Sequence, residues 1–331
     1  MSEQKPSRRS LVSLFVLMIV AVAVYLLLIN RQTVFDYIAA SQYKPDQAAI
    51  AIKDKLNLTH LGSLYFDASA TKVEGAQNFN KDCEQQSETN NPILGCYTAY
   101  HIFIYDVTNS QLEGIEETTA AHELLHAAYQ RLSDTDRATV DKEVEAAYEK
   151  VKTPELENRI AYYDKTEPGQ KLNELHSILG SEFHNLGTAL EDHYREYFNN
   201  RAQIVAYYDQ YSAVFRGVTT RLTQLSDTIN QQTSQTSATI EQYNKDVQQL
   251  NADVEAFNQK NASSGFRTQS EFNTAQKELL SRQEQLDQTR QSIEASIQSI
   301  NAMRDTYNQL VTEYNELNKS ISSSLSPTPS L

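Results

Sequence analysis

Ala120-Ala121-His122-Glu123-Leu124-Leu125-His126-Ala127-Ala128 is the stretch on which the reading of this chain turns. Ile115, Leu125, Ala128 and Leu132 recur at helical spacing around it, so a helix is predicted from about Leu112 to Arg131. Glu113, Glu116 and Glu117 fall in its first turns, where the helix dipole favours negative charge. Residues i and i+4 of a helix share a face one turn apart. His122 and His126 can then reach one divalent ion at roughly 2.0–2.1 Å, the usual distance from zinc to an imidazole nitrogen. Glu123 projects from the neighbouring position, near enough to a bound water to take its proton, and does not ligate. A zinc ion lowers the pKa of such a water, polarises a substrate carbonyl and stabilises the oxyanion that forms. An HExxH pattern also arises by accident on solvated helix faces. The acidic stretch before it, the strand predicted upstream and the absence of Pro or Gly in its last turns favour the metal.

Downstream, Ser133-Asp134-Thr135-Asp136 resembles a cap for a helix reaching about Val151. Thr153-Pro154 starts another, with Pro at the first helical position. Pro168-Gly169 marks a break, and a further helix is predicted through Asn173 to Ser181.

The two segments His122–His126 and Asn173-Glu174-Leu175-His176-Ser177 together resemble the gluzincin zinc peptidases, over about residues 60–185. In that family a later helix supplies a Glu as third ligand within an Asn-Glu-x-x-Ser segment. The resemblance therefore implies Glu174 as third ligand, with Ser177 as the small residue that lets two helices approach. Glu182, two turns later on the same face, is the runner-up, although Asn185 then stands at the small position. Charged residues on an amphipathic helix are otherwise usually solvated. The family's acidic residue after the small position is missing, because Ile178 stands there; the partner that would orient a zinc histidine is left unassigned. Metzincins do not fit, since Tyr129 and Leu132 occupy the offsets where their Gly and His belong. The resemblance further implies a Zn2+ cofactor, Glu123 as general base and a protein or peptide substrate. The substrate would bind as an added strand along Tyr97–Tyr105. His176 is a second candidate catalytic group, as a donor to the oxyanion or a support for the ligands, and Tyr162 and Tyr163 are further candidates for polarising the carbonyl. Paired Tyr on a helix more often simply pack.

Upstream, Lys44–Leu56 reads as a short amphipathic helix, and Ser63–Asp67 and Cys96–Asp106 read as strands. Between those strands lies a polar stretch, Asn78–Asn91. Cys83 and Cys96 are the two cysteines of the chain, and an even count outside the cytoplasm reads as one disulfide. A loop of that length gains about 3 kcal/mol in the chain-entropy model. Free buried thiols are the alternative.

From Leu11 to Ile29 no residue is charged and only Ser13 and Tyr25 are polar, which approaches the roughly 20 residues that cross a bilayer. Lys5, Arg8 and Arg9 precede the run, so the expectation is a single-pass plasma-membrane protein with a cytoplasmic N-terminus and its bulk outside. A cleaved signal peptide is the competing reading, but Leu26-Leu27-Leu28-Ile29-Asn30-Arg31 is a poor cleavage context. With 43 acidic against 29 basic residues the net charge is -14, which argues against a nucleic-acid partner held by its phosphates.

After about Thr188 the texture changes. Pro is absent until 327, and Gly occurs only at 217 and 265. Leu222, Leu225 and Ile229, then Tyr243, Val247, Leu250, Val254 and Phe257, and later Ile293, Ile297, Ile300, Tyr307, Leu310, Tyr314, Leu317 and Ile321 follow alternating three-four spacing, apart from a seven-residue step across Arg304. The seam is polar between 230 and 239. Asn261-Ala262-Ser263-Ser264-Gly265 separates the halves, so an antiparallel coiled-coil hairpin is predicted, offering a surface for a protein partner or self-association. The expected class is α+β, mostly α. Residues 1–30 form the N-terminus and anchor, 31–200 a zincin-like domain with a small sheet, 201–322 the hairpin, and 323–331 a disordered tail. The rival functional reading is a membrane-anchored scaffold or adhesin with a spent zincin domain.

Overall fold

The computed structural model describes residues 8–83, 93–166 and 168–323. In chain order the helices before the hairpin are α1 (Arg8–Ile29), α2 (Arg31–Gln42), α3 (Gln47–Leu56), α4 (His60–Ala68), α5 (Ala76–Asp82), α6 (Ile115–Arg131), α7 (Asp134–Val151), α8 (Pro154–Thr166), α9 (Lys171–Glu182) and α10 (Thr188–Tyr194). The strands are β1 (Lys72–Glu74), β2 (Gly95–Thr98) and β3 (His101–Tyr105). Two long helices follow, α11 (Arg201–Ala262) and α12 (Gln269–Ser320). The chain divides into two compact units: the described residues up to Val214 and from Asn318 on, and residues Phe215–Leu317.

The first unit is built around α6. Ala120, Ala121, Leu124, Leu125, Ala127 and Ala128 are all buried, and the small size of the four alanines lets neighbours approach from several sides. α9 comes closest: a Cβ on Gly180 would lie 2.4 Å from Leu125 Cδ1, and Ser177 is fully buried. The helix begins at Ile115 rather than Leu112, because Gly114 takes φ +99° after a 3-10 turn at Ser110–Leu112. Ser133 caps α7 as expected, its hydroxyl accepting from Asp136 N at 3.2 Å.

The strand predicted at Ser63–Asp67 is helical. Thr59 caps α4 by accepting from Gly62 N, and the helix is packed between α2 and α6. Its alternating burial comes from neighbours on two sides, not from a sheet. The single strand predicted over Cys96–Asp106 is a hairpin instead. Ala99 and Tyr100 both have positive φ, +48° and +66°, the backbone a tight two-residue turn requires. β3 lies between β1 (parallel) and β2 (antiparallel). Of the expected substrate strand Tyr97–Tyr105, the β3 part is therefore central, with both edges already paired, and only β2 is an edge. Cys83 and Cys96 form the expected disulfide, pegging the end of α5 to β2. Most of the polar stretch Asn78–Asn91, from 84 on, lies outside the described residues.

α1 carries the apolar run. Phe15, Leu17 and Leu28 are each more than half exposed. Among the described residues no single helix is long and apolar enough to cross a membrane. Phe15–Ile29 and Arg31–Gln42 meet that test together, bent by 73°. Lys5 and the side chains of Arg8 and Arg9 lie outside the described residues, as do residues 324–331 of the predicted tail.

In the second unit α11 and α12 run antiparallel, joined at Ser263–Thr268, close to the predicted tip. Asp253 pairs with Arg282 at 2.6 Å, Phe257 packs on Phe272, and Phe215 meets Tyr314. Leu250, Ile293, Ile300 and Leu310 are buried along the seam. Near its polar stretch, Gln232, Thr236 and Ser296 line a hollow of about 520 Å³.

Candidate metal centre

Successive turns of α6 present Thr118, Thr119, His122, Glu123, His126, Tyr129 and Gln130 to a cleft of about 1100 Å³. α8 contributes Arg159, Tyr162 and Tyr163, and α9 contributes Asn173 and Glu174. The chain entering β2, with Gly95 and Tyr97, forms another wall.

Three side chains converge inside it. His122 Nε2 and His126 Nε2 are 3.0 Å apart, and the rings meet edge to face. Glu174 places Oε1 3.4 Å from His126 Nε2 and Oε2 3.8 Å from His122 Nε2. Among the described residues these form the group whose ligand atoms all lie within 4.8 Å of one another, so His122, His126 and Glu174 could hold a metal ion. The spacing suits one. Two atoms each roughly 2.05 Å from a tetrahedral zinc ion stand about 3.3 Å apart. Burial first, then the neighbouring His126, Arg159 and His176, hold the His122 imidazole well below its usual pKa, in the neutral form that ligates.

The orienting group missing from the sequence pattern is present in another form. His126 Nδ1 lies 2.9 Å from Asn173 Oδ1, and the Asn173 amide donates from Nδ2 to Gln170 Oε1 at 3.0 Å. An amide oxygen only accepts, so Nδ1 carries the proton and Nε2 keeps its lone pair for a ligand bond. Ile178 is wholly buried in the core, where an acidic side chain would have no water. Asn173 was visible in the Asn-Glu-x-x-Ser segment, but its role needed the helix crossing.

Glu182, the runner-up ligand, lines the cleft but is held by Arg159 at 2.7 Å. Arg159 itself went unread in the sequence, with no signal beyond a cation one turn before Tyr162-Tyr163. Glu123 is 6% exposed and lies against β2. A Cβ on Gly95 would sit 2.7 Å from Glu123 Oε1 and 2.6 Å from Thr119 Cγ2, so only glycine lets the strand come this near. Tyr163 keeps its proton: burial drives its hydroxyl up to about 12, Arg159 draws it down, and the Glu174 and Glu123 carboxylates push it further up.

His176 is not at the cleft. It is fully buried on α9, with Nε2 2.9 Å from His193 Nε2 and its ring against Tyr129 and Tyr194. Tyr194 donates to its carbonyl at 2.7 Å. Burial, with His193 and then His126, keeps it neutral. From this position it cannot donate to a group bound in the cleft; it packs α9 against Tyr129 of α6 and against His193 and Tyr194 of α10.

No protein-family model matches this chain, and it has no match among curated proteins or solved structures.

Proposed function

We propose that this protein is a zinc metallopeptidase of gluzincin type, anchored by α1 in the plasma membrane with its bulk outside and its N-terminus cytoplasmic. The observation that carries the reading is the convergence of His122, His126 and Glu174 in a cleft that also holds Glu123. Two imidazoles and one carboxylate, with room left in the cleft, are the ligand set of a catalytic rather than a structural zinc site. A bound zinc ion would supply Lewis acidity toward the scissile carbonyl and lower the pKa of water beside it. Glu123 would act as general base, taking a proton from water there and giving it to the leaving amine. Tyr163, protonated across the physiological range, can donate to the carbonyl oxygen. Asn173 fixes the His126 tautomer, and Gly95 and Thr119 confine Glu123. An extended peptide can add to the sheet along β2, the edge strand in the cleft wall.

The test uses the full chain in detergent. Bound metals are quantified, and cleavage of a mixed peptide library is compared with that of Glu123→Gln. About one zinc per chain in both proteins, with cleavage lost only in the variant, is the expected result. A folded, metal-free and inert protein would favour the scaffold or adhesin reading, and iron in place of zinc would point to redox chemistry on the same ligand set.

A further inference from the structure

α2 has two faces with different business. On its outward side Arg31, Phe35, Ile38 and Gln42 follow four-three-four spacing and form one exposed stripe. Phe35 is 63% and Ile38 48% exposed, unusual for large apolar side chains beside a folded domain. On the inward side Asp36 is buried, and both its oxygens accept from Arg131 Nε at 3.1 Å, with Arg131 Nη2 at 2.8 Å. Arg131 also donates from Nη1 to the Tyr97 hydroxyl at 3.2 Å and stacks 4.9 Å from the Tyr65 ring. Tyr97 is part of the cleft wall. A set of side-chain contacts therefore runs from α2 through Asp36 and Arg131 to Tyr97 in the cleft wall.

The bend says what covers the outward face. α2 follows α1 after Asn30 alone and turns 73° from it. A helix turned that far from one standing upright in a bilayer lies nearly in the bilayer plane. Its stripe has the make-up of an interfacial helix: an apolar pair to enter the acyl boundary, flanked by a cation for lipid phosphate and an amide. We propose that α2 lies in the headgroup layer of the membrane that α1 crosses, with Phe35 and Ile38 inserted, and that Asp36 and Arg131 thereby hold the cleft at the membrane surface, where it takes polypeptide segments close to the bilayer. This rests on the reading of α1 as an anchor; the substrate class rests on the peptidase reading as well.

The experiment places an environment-sensitive fluorophore on the full chain through Phe35→Cys, Ile38→Cys, Thr33→Cys or Leu17→Cys, one at a time. The chain is reconstituted in vesicles of phosphatidylcholine and phosphatidylglycerol, with or without brominated lipid. Labels at 35 and 38 should be quenched about twofold or more above the label at 33, which points away from the stripe. Equal quenching at 33, 35 and 38 overturns the proposal while a quenched label at 17 preserves the anchor. An unquenched label at 17 overturns the anchor itself. Shielding of 35 and 38 that grows with protein density but ignores brominated lipid assigns the face to a second copy, and also overturns the proposal. A second readout addresses the substrate. In a Phe35→Gln/Ile38→Gln protein, cleavage of a lipid-tethered peptide should fall several-fold against cleavage of the same peptide in solution. An unchanged ratio overturns the membrane-proximal assignment, and no cleavage of either peptide by the unaltered chain sinks the peptidase reading and the substrate class with it, while the quenching still decides where α2 lies.

Discussion

Replacing Asn173 by Ala removes the acceptor that His126 Nδ1–H uses, without touching a candidate metal ligand. The direct loss is one neutral hydrogen bond, about 0.5–1.5 kcal/mol. The His126 side chain is 11% exposed and lies at the cleft, so water can take over part of that bond. What water does not restore is the tautomer. Without a fixed acceptor the imidazole divides between two forms and several ring orientations, and only one presents the Nε2 lone pair toward His122 and Glu174. Removing such supports typically costs 10–100-fold in metal affinity. The low end applies to a site that water can reach, so zinc affinity should fall by roughly tenfold to thirtyfold, about 1.4–2 kcal/mol. Competition against a fluorescent chelator reads this directly. Asn173→Asp is the informative partner: its carboxylate can accept the same bond with charge assistance and should hold zinc within about threefold of the unaltered protein. Metal-free stability should fall by no more than about 1 kcal/mol in Asn173→Ala, since water restores part of the bond, and by less in Asn173→Asp. Equal affinity for Asn173→Ala and the unaltered chain would refute the orienting role, as would an Asp variant as weak as the Ala one.

Gly95→Ala should destabilise the protein by about 1–3 kcal/mol through overpacking against Thr119 and Glu123, and should lower turnover more than zinc content; denaturant titration and metal analysis separate the two. Asp36→Ala leaves the Arg131 guanidinium buried without its carboxylate, and a loss of about 3–5 kcal/mol is expected by the same titration; a loss below 1 kcal/mol would show that water reaches the pair. Acid should weaken the metal-free fold. Burial drives His193 down to about 4 and holds its partner His176 well below the usual value, so the unfolded chain takes up protons first. Stability is then full above about pH 6.5 and drains as the pH falls toward 4, and His193→Gln should flatten that slope between pH 6.5 and 4.5.

The parts legible in the sequence were those set by local rules. Ser133 and Pro154 marked helix starts through capping and a missing N–H, and the i, i+4 spacing of His122 and His126 forced a common face. Glu174 was within reach because its motif carries a small residue at the helix crossing. What stayed hidden depends on distant neighbours. Ser63–Asp67 looks like a strand because two helices flank it, and nothing near it in sequence announces them. Ala99 and Tyr100 turn the chain with positive φ, which neither residue type advertises. Asn173 meets His126 across 47 positions, and Arg159 meets Glu182 across 23. His176 was drawn into the chemistry by its place in a motif, whereas helical geometry puts it on the far side from Glu174.

β2 is four residues long and has β3 as its partner within the sheet. So short a ladder is weak by itself, yet Gly95 lies against Thr119 and Glu123 closer than a Cβ would allow. Cys96, the very next residue, is covalently pegged to Cys83. The choice of expression host follows from this. Protein made in a reducing cytosol would carry an untethered strand, and an inert preparation from such a source would not test the proposed peptidase activity; an oxidising host or periplasmic export is the proper starting point.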